Sequence, residues 1–311
     1  MTIAAPAPPT TNPAGWLNNQ PYLLLSLTSL FWAGNIVLAR HVGNHVPPIT
    51  LTTIRWFGVF FILLPFAWSH LRRDWPAIRA GLPLMLFLSL IGFAFNNAIS
   101  YWALQYTEAL NALLIQSSGP LFVALWSLVL FGVRLTGAQL AGIAISLAGV
   151  LTIILRGDVT ALAGIAFNKG DVMFASSLVS FGLYSALIPR RPVIHQLSFI
   201  SSTTCCGALM LAPAAAWEFS TGAVLKFDAL TLATLSYILI FPSTLAYLFF
   251  NRGVALIGPN RAAPFFHLVP VFGSAMAILL LGERLQMFHL LGYALVLAGV
   301  VIASRQGSAV K

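Results

Sequence analysis

Ten apolar stretches of about twenty residues, separated by short turns, leave this chain few ways to fold. They run approximately over 21–39, 48–69, 81–103, 108–131, 136–155, 170–189, 196–217, 229–250, 262–281 and 286–304. A helix needs about 20 mostly apolar residues to cross the hydrocarbon core of a bilayer. Strands of a membrane barrel are about ten residues long and alternate in polarity, and runs such as 84–88 and 278–281 do not alternate. Charged residues make up 7% of the chain, against roughly 25% in a soluble domain that must face water. With no polar shell to build, the chain reads as an integral membrane protein. That excludes a soluble enzyme, a disordered chain and a nucleic-acid module, in spite of a net charge of +9.

The spans take up most of the chain and leave no room for a soluble catalytic domain. Residues 1–20, rich in Pro, Ala and Thr, lack the basic start of a cleaved signal peptide and read as a disordered tail. Cys205 and Cys206 are neighbours inside a span, poorly placed for a relaxed disulfide, and read as small packing residues. With the N-terminus in the cytoplasm, ten Lys and Arg residues fall on that side and five on the other, with Arg55 inside the second span. Basic excess in short loops marks the cytoplasmic face, so both termini are expected inside.

The chain resembles itself at an offset of 150. Gly132, Arg134, Leu135, Gly142, Leu147, Ala148, Gly149 and Val150 recur as Gly282, Arg284, Leu285, Gly292, Leu297, Ala298, Gly299 and Val300, and Pro120 falls on Pro270. Five helices per repeat bring the chain out on the opposite face. The two halves, 21–157 and 168–307, must then sit upside down relative to one another. The expected fold is an all-α membrane protein of ten helices in two inverted-topology five-helix repeats. Such repeats suit alternating access around a site near the midplane. Gly142, Ser146 and Gly149, with Ala294, Ala298 and Gly299, are small enough to let the last helices of the two halves pack closely, or to form a dimer.

Polar side chains within spans are costly unless they face protein or water, so each is a candidate for the site. Asn97 and Tyr101 share a helix face, and the offset carries them onto Tyr247 and Asn251, the same residue types in swapped order. Thr244 joins the second face. These groups could line a cavity, the amides meeting amino and carboxylate groups and the rings stacking on an aromatic side chain; they could equally be interhelical glue. Trp32 and Asn35 in span one, Tyr184 in span six and Gln116 in span four extend the candidate wall. His267 could donate to a substrate carboxylate or bond a neighbouring helix. Pro120 and Pro270 each free a carbonyl one turn earlier, which is tolerated where it lines a cavity. Arg55 is shallow enough to snorkel and is expected to serve a structural or gating ion pair with an external acid such as Glu108.

The segment Leu30-Phe31-Trp32-Ala33-Gly34-Asn35, Arg55, and the twin Gly-x-Arg-Leu…Leu-Ala-Gly-Val hairpins resemble the EamA-like branch of the drug/metabolite transporter superfamily. The second hairpin, Leu280 to Leu285, is close to the family's wording, while the first departs from it with Val133 in place of Glu. Within that branch the chain looks most like the aromatic amino-acid exporters of bacterial inner membranes. The resemblance implies ten helices in two inverted repeats and export of amino acids or related metabolites. Export of amphipathic drugs is the alternative that a cavity of Trp, Tyr and Phe leaves open.

Other classes fit less well. No phosphate-binding Gly-x4-Gly-Lys motif is present to hydrolyse ATP. A membrane enzyme would want clustered acids or histidines at metal-ligand spacing. His41 and His45 have the spacing but sit in a short loop without a third ligand. No filter-like Gly run or ring of charges suggests a channel. The expected partners are a small-molecule substrate and the lipid bilayer, with no nucleic acid, no metal and no organic cofactor. The protein would work as a monomer or homodimer.

Overall fold

In a computed structural model, residues 16–42, 46–107, 112, 115–164, 168–223, 225, 228–281 and 286–304 are described. They form helices throughout, with no strand among them. In chain order these are α1 Pro21–Val42, α2 Pro48–Ala80, α3 Leu82–Ala103, α4 Gly119–Phe131 and α5 Gly137–Ile154. There follow α6 Lys169–Leu187, α7 Gln196–Ser220, α8 Thr231–Ile257, α9 Leu268–Leu281 and α10 Met287–Ser304. Seven of them, α2, α3, α5, α6, α7, α8 and α10, are long and apolar enough to cross a membrane. Helix α2 continues past the expected end at residue 69 to Ala80, carrying Arg72, Arg73 and Arg79 on its polar extension. Helix α4 ends at Gly132, whose φ of 69° is the left-handed cap that glycine adopts without strain. Much of the stretch before α4, with Glu108, and the second Gly-x-Arg-Leu turn with Glu283 and Arg284 lie outside the described residues.

Helices α2 and α7 pack antiparallel along their length, and two acids cap each other's helix. Glu218, near the end of α7, accepts from Ile49 N (3.2 Å), Thr50 N (2.7 Å) and Thr50 Oγ1 (2.7 Å) in the first turn of α2. Asp74, near the far end of α2, accepts from His195 N (2.8 Å) and Ser198 Oγ (2.7 Å) where α7 begins. The first N–H groups of a helix have no partner within it, and a carboxylate there also meets the positive end of the helix dipole. Burial pushes the Asp74 carboxyl up, but hydrogen bonds from Ser198, His195 N–H and Arg73 outweigh it and hold it below the usual range. Beside it the His70 and His195 rings stack at 3.6 Å. Burial, with His70 alongside, keeps the pKa of His195 low against the pull of Asp74.

Helices α5 and α10 form the closest seam of the bundle. A Cβ added at Gly142 would stand 2.5 Å from Gly299 O and Ala303 N, and one at Gly149 would stand 2.7 Å from Gly292 O and Val296 N. As one helix ascends its partner descends, so the two run antiparallel. Gly142, Ser146, Gly149 and Gly299 serve here as expected, but Ala294 and Ala298 face outward and Gly292 takes their place.

Helices α3 and α8 each widen into a π-helical turn, at Leu90–Ala94 and Leu239–Leu245. Shifted by 150 residues, the first falls inside the second. A π turn bonds five residues back instead of four and commonly sits at functional sites. Here it leaves main-chain carbonyls directed at the centre of the bundle.

Candidate functional site

Around these two turns the polar groups of α1, α2, α3 and α8 converge. Gly92 O accepts from Asn97 Nδ2 (3.3 Å) and Tyr247 Oη (3.1 Å), and Phe93 O accepts from Trp56 Nε1 (2.7 Å) and Asn97 Nδ2 (3.3 Å). On the other turn, Pro242 O accepts from Arg55 Nη2 and Trp32 Nε1, both at 3.3 Å. Asn97 Nδ2 also donates to Tyr247 Oη at 3.0 Å, a bond between residues 150 apart in sequence. Arg55 is buried, donating to Ser243 Oγ through Nε and to Asn97 Oδ1 (3.1 Å) and Tyr101 Oη (2.8 Å) through Nη1. Tyr101 Oη in turn donates a hydrogen bond to Asn35 Oδ1 at 2.9 Å.

Beside this network lies a cavity of about 110 Å³. A water needs about 10–15 Å³ of such space, so several fit. Trp32, Asn35, Arg55, Asn97, Tyr101, Gln116 and Tyr247 line it, joined by Asn96, Ser100, Phe174, Phe181 and Phe266. Its apolar wall is an aromatic cluster centred on Trp32, whose ring stacks on Phe266 (5.6 Å) and meets Phe181 (5.6 Å), Phe250 (5.4 Å) and Tyr247 (6.0 Å). The lining therefore mixes amides and hydroxyls with aromatic rings. That mixture suits a ligand with a polar head and an aromatic or bulky apolar tail.

The remaining expected residues are placed elsewhere. Tyr184 and Asn251 are fully buried and bond each other, Tyr184 Oη donating to Asn251 Oδ1 at 2.8 Å. Thr244 donates to Leu239 O at 2.7 Å and closes the π turn of α8. His267 is buried at the meeting of three segments: Nε2 donates to Ser117 O (2.7 Å), and Nδ1 meets Ser146 Oγ (2.5 Å). A carbonyl can only accept, which fixes the tautomer at Nε2. Its neighbour Phe266 reaches the cavity instead. Pro120 starts α4, where a missing N–H costs nothing, and Pro270 is the third residue of α9, directly after the 3-10 turn Ala263–His267; the inward carbonyls come from the π turns. Arg55 makes no ion pair among the described residues, and Glu108 lies outside them.

Asn96 and Ser100, four apart on α3, extend the Asn97–Tyr101 face and were legible from that spacing. Phe181 and Phe266 carry no such signal among 23 phenylalanines. The π-turn carbonyls have no side-chain signature at all.

The EamA-like transporter family description matches residues 19–155 and again 168–305, so its two copies together cover most of the chain. The chain belongs to the EamA-like transporter family. Relatives align with it over most of their length. The uncharacterized transporter YyaM of Bacillus subtilis is 27% identical over 91% of this chain and 93% of its own. A probable amino-acid metabolite efflux pump of Salmonella typhimurium is 28% identical over 90% of this chain and 93% of its own. A solved crystal structure shares the fold, with a TM-score of 0.71 at 19% identity over 91% of this chain and 96% of the other. Family and relatives make this EamA-like protein a multi-pass membrane transporter of small molecules.

Proposed function

We propose that this protein exports amino acids, aromatic ones preferred, and related metabolites across the bacterial cytoplasmic membrane by alternating access. The working unit is ten helices in two inverted repeats, residues 21–157 and 168–307, with both termini in the cytoplasm and no cofactor. Antiparallel pairing of α5 with α10 and of α2 with α7 supports this reading, since helices that correspond at the offset must run oppositely if the halves are upside down. So does the placing of the two π turns at matching positions. The observation that carries the functional reading is the cavity, lined by aromatic rings together with amides, hydroxyls and Arg55, beside the Asn97–Tyr247 bond between the halves. The name of the Salmonella relative points to the same substrate class.

Trp32, Asn35, Asn97, Tyr101, Gln116 and Tyr247 are assigned to the substrate wall. Tyr184, Asn251, Thr244 and His267 are assigned to the support packed around that wall, and Pro120 and Pro270 to helix starts. Export of amphipathic drugs remains the second reading, favoured by the Trp32 cluster, which is indifferent to what else a ring carries. Counterflow of a panel of labelled amino acids in proteoliposomes, with and without a proton gradient, decides between them. Saturable counterflow strongest for Phe, Tyr and Trp is expected; flux of cationic dyes without amino-acid counterflow would overturn the assignment.

A further inference from the structure

Arg55 is 2% exposed, and among the described residues every group that holds it is neutral: the Ser243 hydroxyl, the Asn97 amide, the Tyr101 hydroxyl and the Pro242 carbonyl. The guanidinium carbon also lies 4.5 Å from the centre of the Trp56 ring. Four of its five N–H bonds are used, leaving one on Nη2. No acid is among the described residues that line the cavity Arg55 faces. A guanidinium taken out of water is expensive to keep without an opposite charge. Neutral acceptors return only part of that cost, and charge-assisted bonds to a carboxylate return more. Among the described residues, Arg55 is thus a cation preassembled without its anion, and it meets Trp32 at a shared acceptor, Pro242 O.

We propose that Arg55 is the carboxylate-binding residue of this cavity, that the transported molecule must carry a carboxylate, and that a free ammonium group is dispensable. The free Nη2 N–H and the positive charge together favour a carboxylate, to which a neutral ester or a cationic amine is no match. The other polar lining groups, among them Asn96, Ser100 and Gln116, are uncharged, so an ammonium or an acylated nitrogen is received by the same atoms. This inference rests on the cavity being the transport site.

The test is competition against exchange of labelled L-phenylalanine by the full chain in proteoliposomes. N-acetyl-L-phenylalanine is expected to compete within about threefold of the parent, while the methyl ester and phenethylamine compete about tenfold or more weakly. Arg55→Gln should bring the acid-to-ester ratio to about one, and Arg55→Lys should keep a reduced preference for the acid. An ester that competes as well as phenylalanine in the wild type sinks the inference without any variant and leaves aromatic transport standing. Absence of phenylalanine exchange together with Arg55-dependent exchange of labelled isovalerate keeps the inference and removes the aromatic preference. Exchange of neither carboxylate overturns both.

Discussion

Asn97 makes four hydrogen bonds through two atoms, accepting from Arg55 and donating to Gly92 O, Phe93 O and Tyr247 Oη. Removing it leaves a buried arginine and a buried tyrosine each short of a partner, a loss of about 1–3 kcal/mol for each unsatisfied group. Asn97→Ala should therefore lower the exchange rate about tenfold or more and reduce thermal stability in detergent. Tyr247→Phe keeps the ring against Trp32 and Trp56 and should lower exchange less than Tyr247→Ala, with both variants inserted in the membrane at wild-type yield. Equal rates for the wild type and both Tyr247 variants would remove that residue from the site. At this scale the sequence reading reached Asn97 and Tyr247 because a repeat offset links them. It assigned Arg55 to an acid partner because a lone charge inside a membrane invites one. Sequence periodicity locates a side chain on a helix face, but the Ser243, Asn97 and Tyr101 acceptors meet Arg55 only through packing between helices.

Between elements, the α5–α10 seam is set by backbone-to-backbone distance. At Gly142 a methyl group would stand 2.5 Å from main-chain atoms of Ala303 and Gly299, which cannot swing away as a flexible side chain could. The helices must separate, at a cost of about 1–3 kcal/mol by the measure of overpacked cores. Gly142→Ala should lower the melting temperature, while Ala144→Leu on the exposed face of the same helix should leave it unchanged. Equal melting temperatures for the two variants would show that the seam is looser than the geometry states. The small residues were legible in the sequence because glycine recurs at matching positions. Which of them face the partner was not: Ala298 precedes Gly299 in the chain yet points to the outside. The π turns were illegible for a related reason, since an extra residue in a helical turn answers to tertiary packing and leaves hydropathy unchanged.

For the molecule as a whole, the long apolar helices follow directly from hydropathy, because bilayer thickness fixes how much apolar chain a span requires. The proposed orientation makes a further demand. In a variant with Cys205 and Cys206 replaced by Ala, a cysteine at Arg134 should react with an impermeant maleimide only from the cytoplasmic side. One at Arg284 should react only from the external side. Reaction of both from one side would refute the upside-down arrangement.

The swapped Asn and Tyr residues extend this to the transport cycle. Asn35–Tyr101 borders the cavity, and the offset carries it to within one residue of Tyr184–Asn251, which is sealed. In the proposed rocking these two pairs trade environments, one parting as the other meets. Asn97–Tyr247 and Ser117–His267 differ by 150 residues, so each is its own counterpart under the exchange. In that proposal such contacts have nowhere to go: they would form a fulcrum, intact in both end states, about which everything else can tilt.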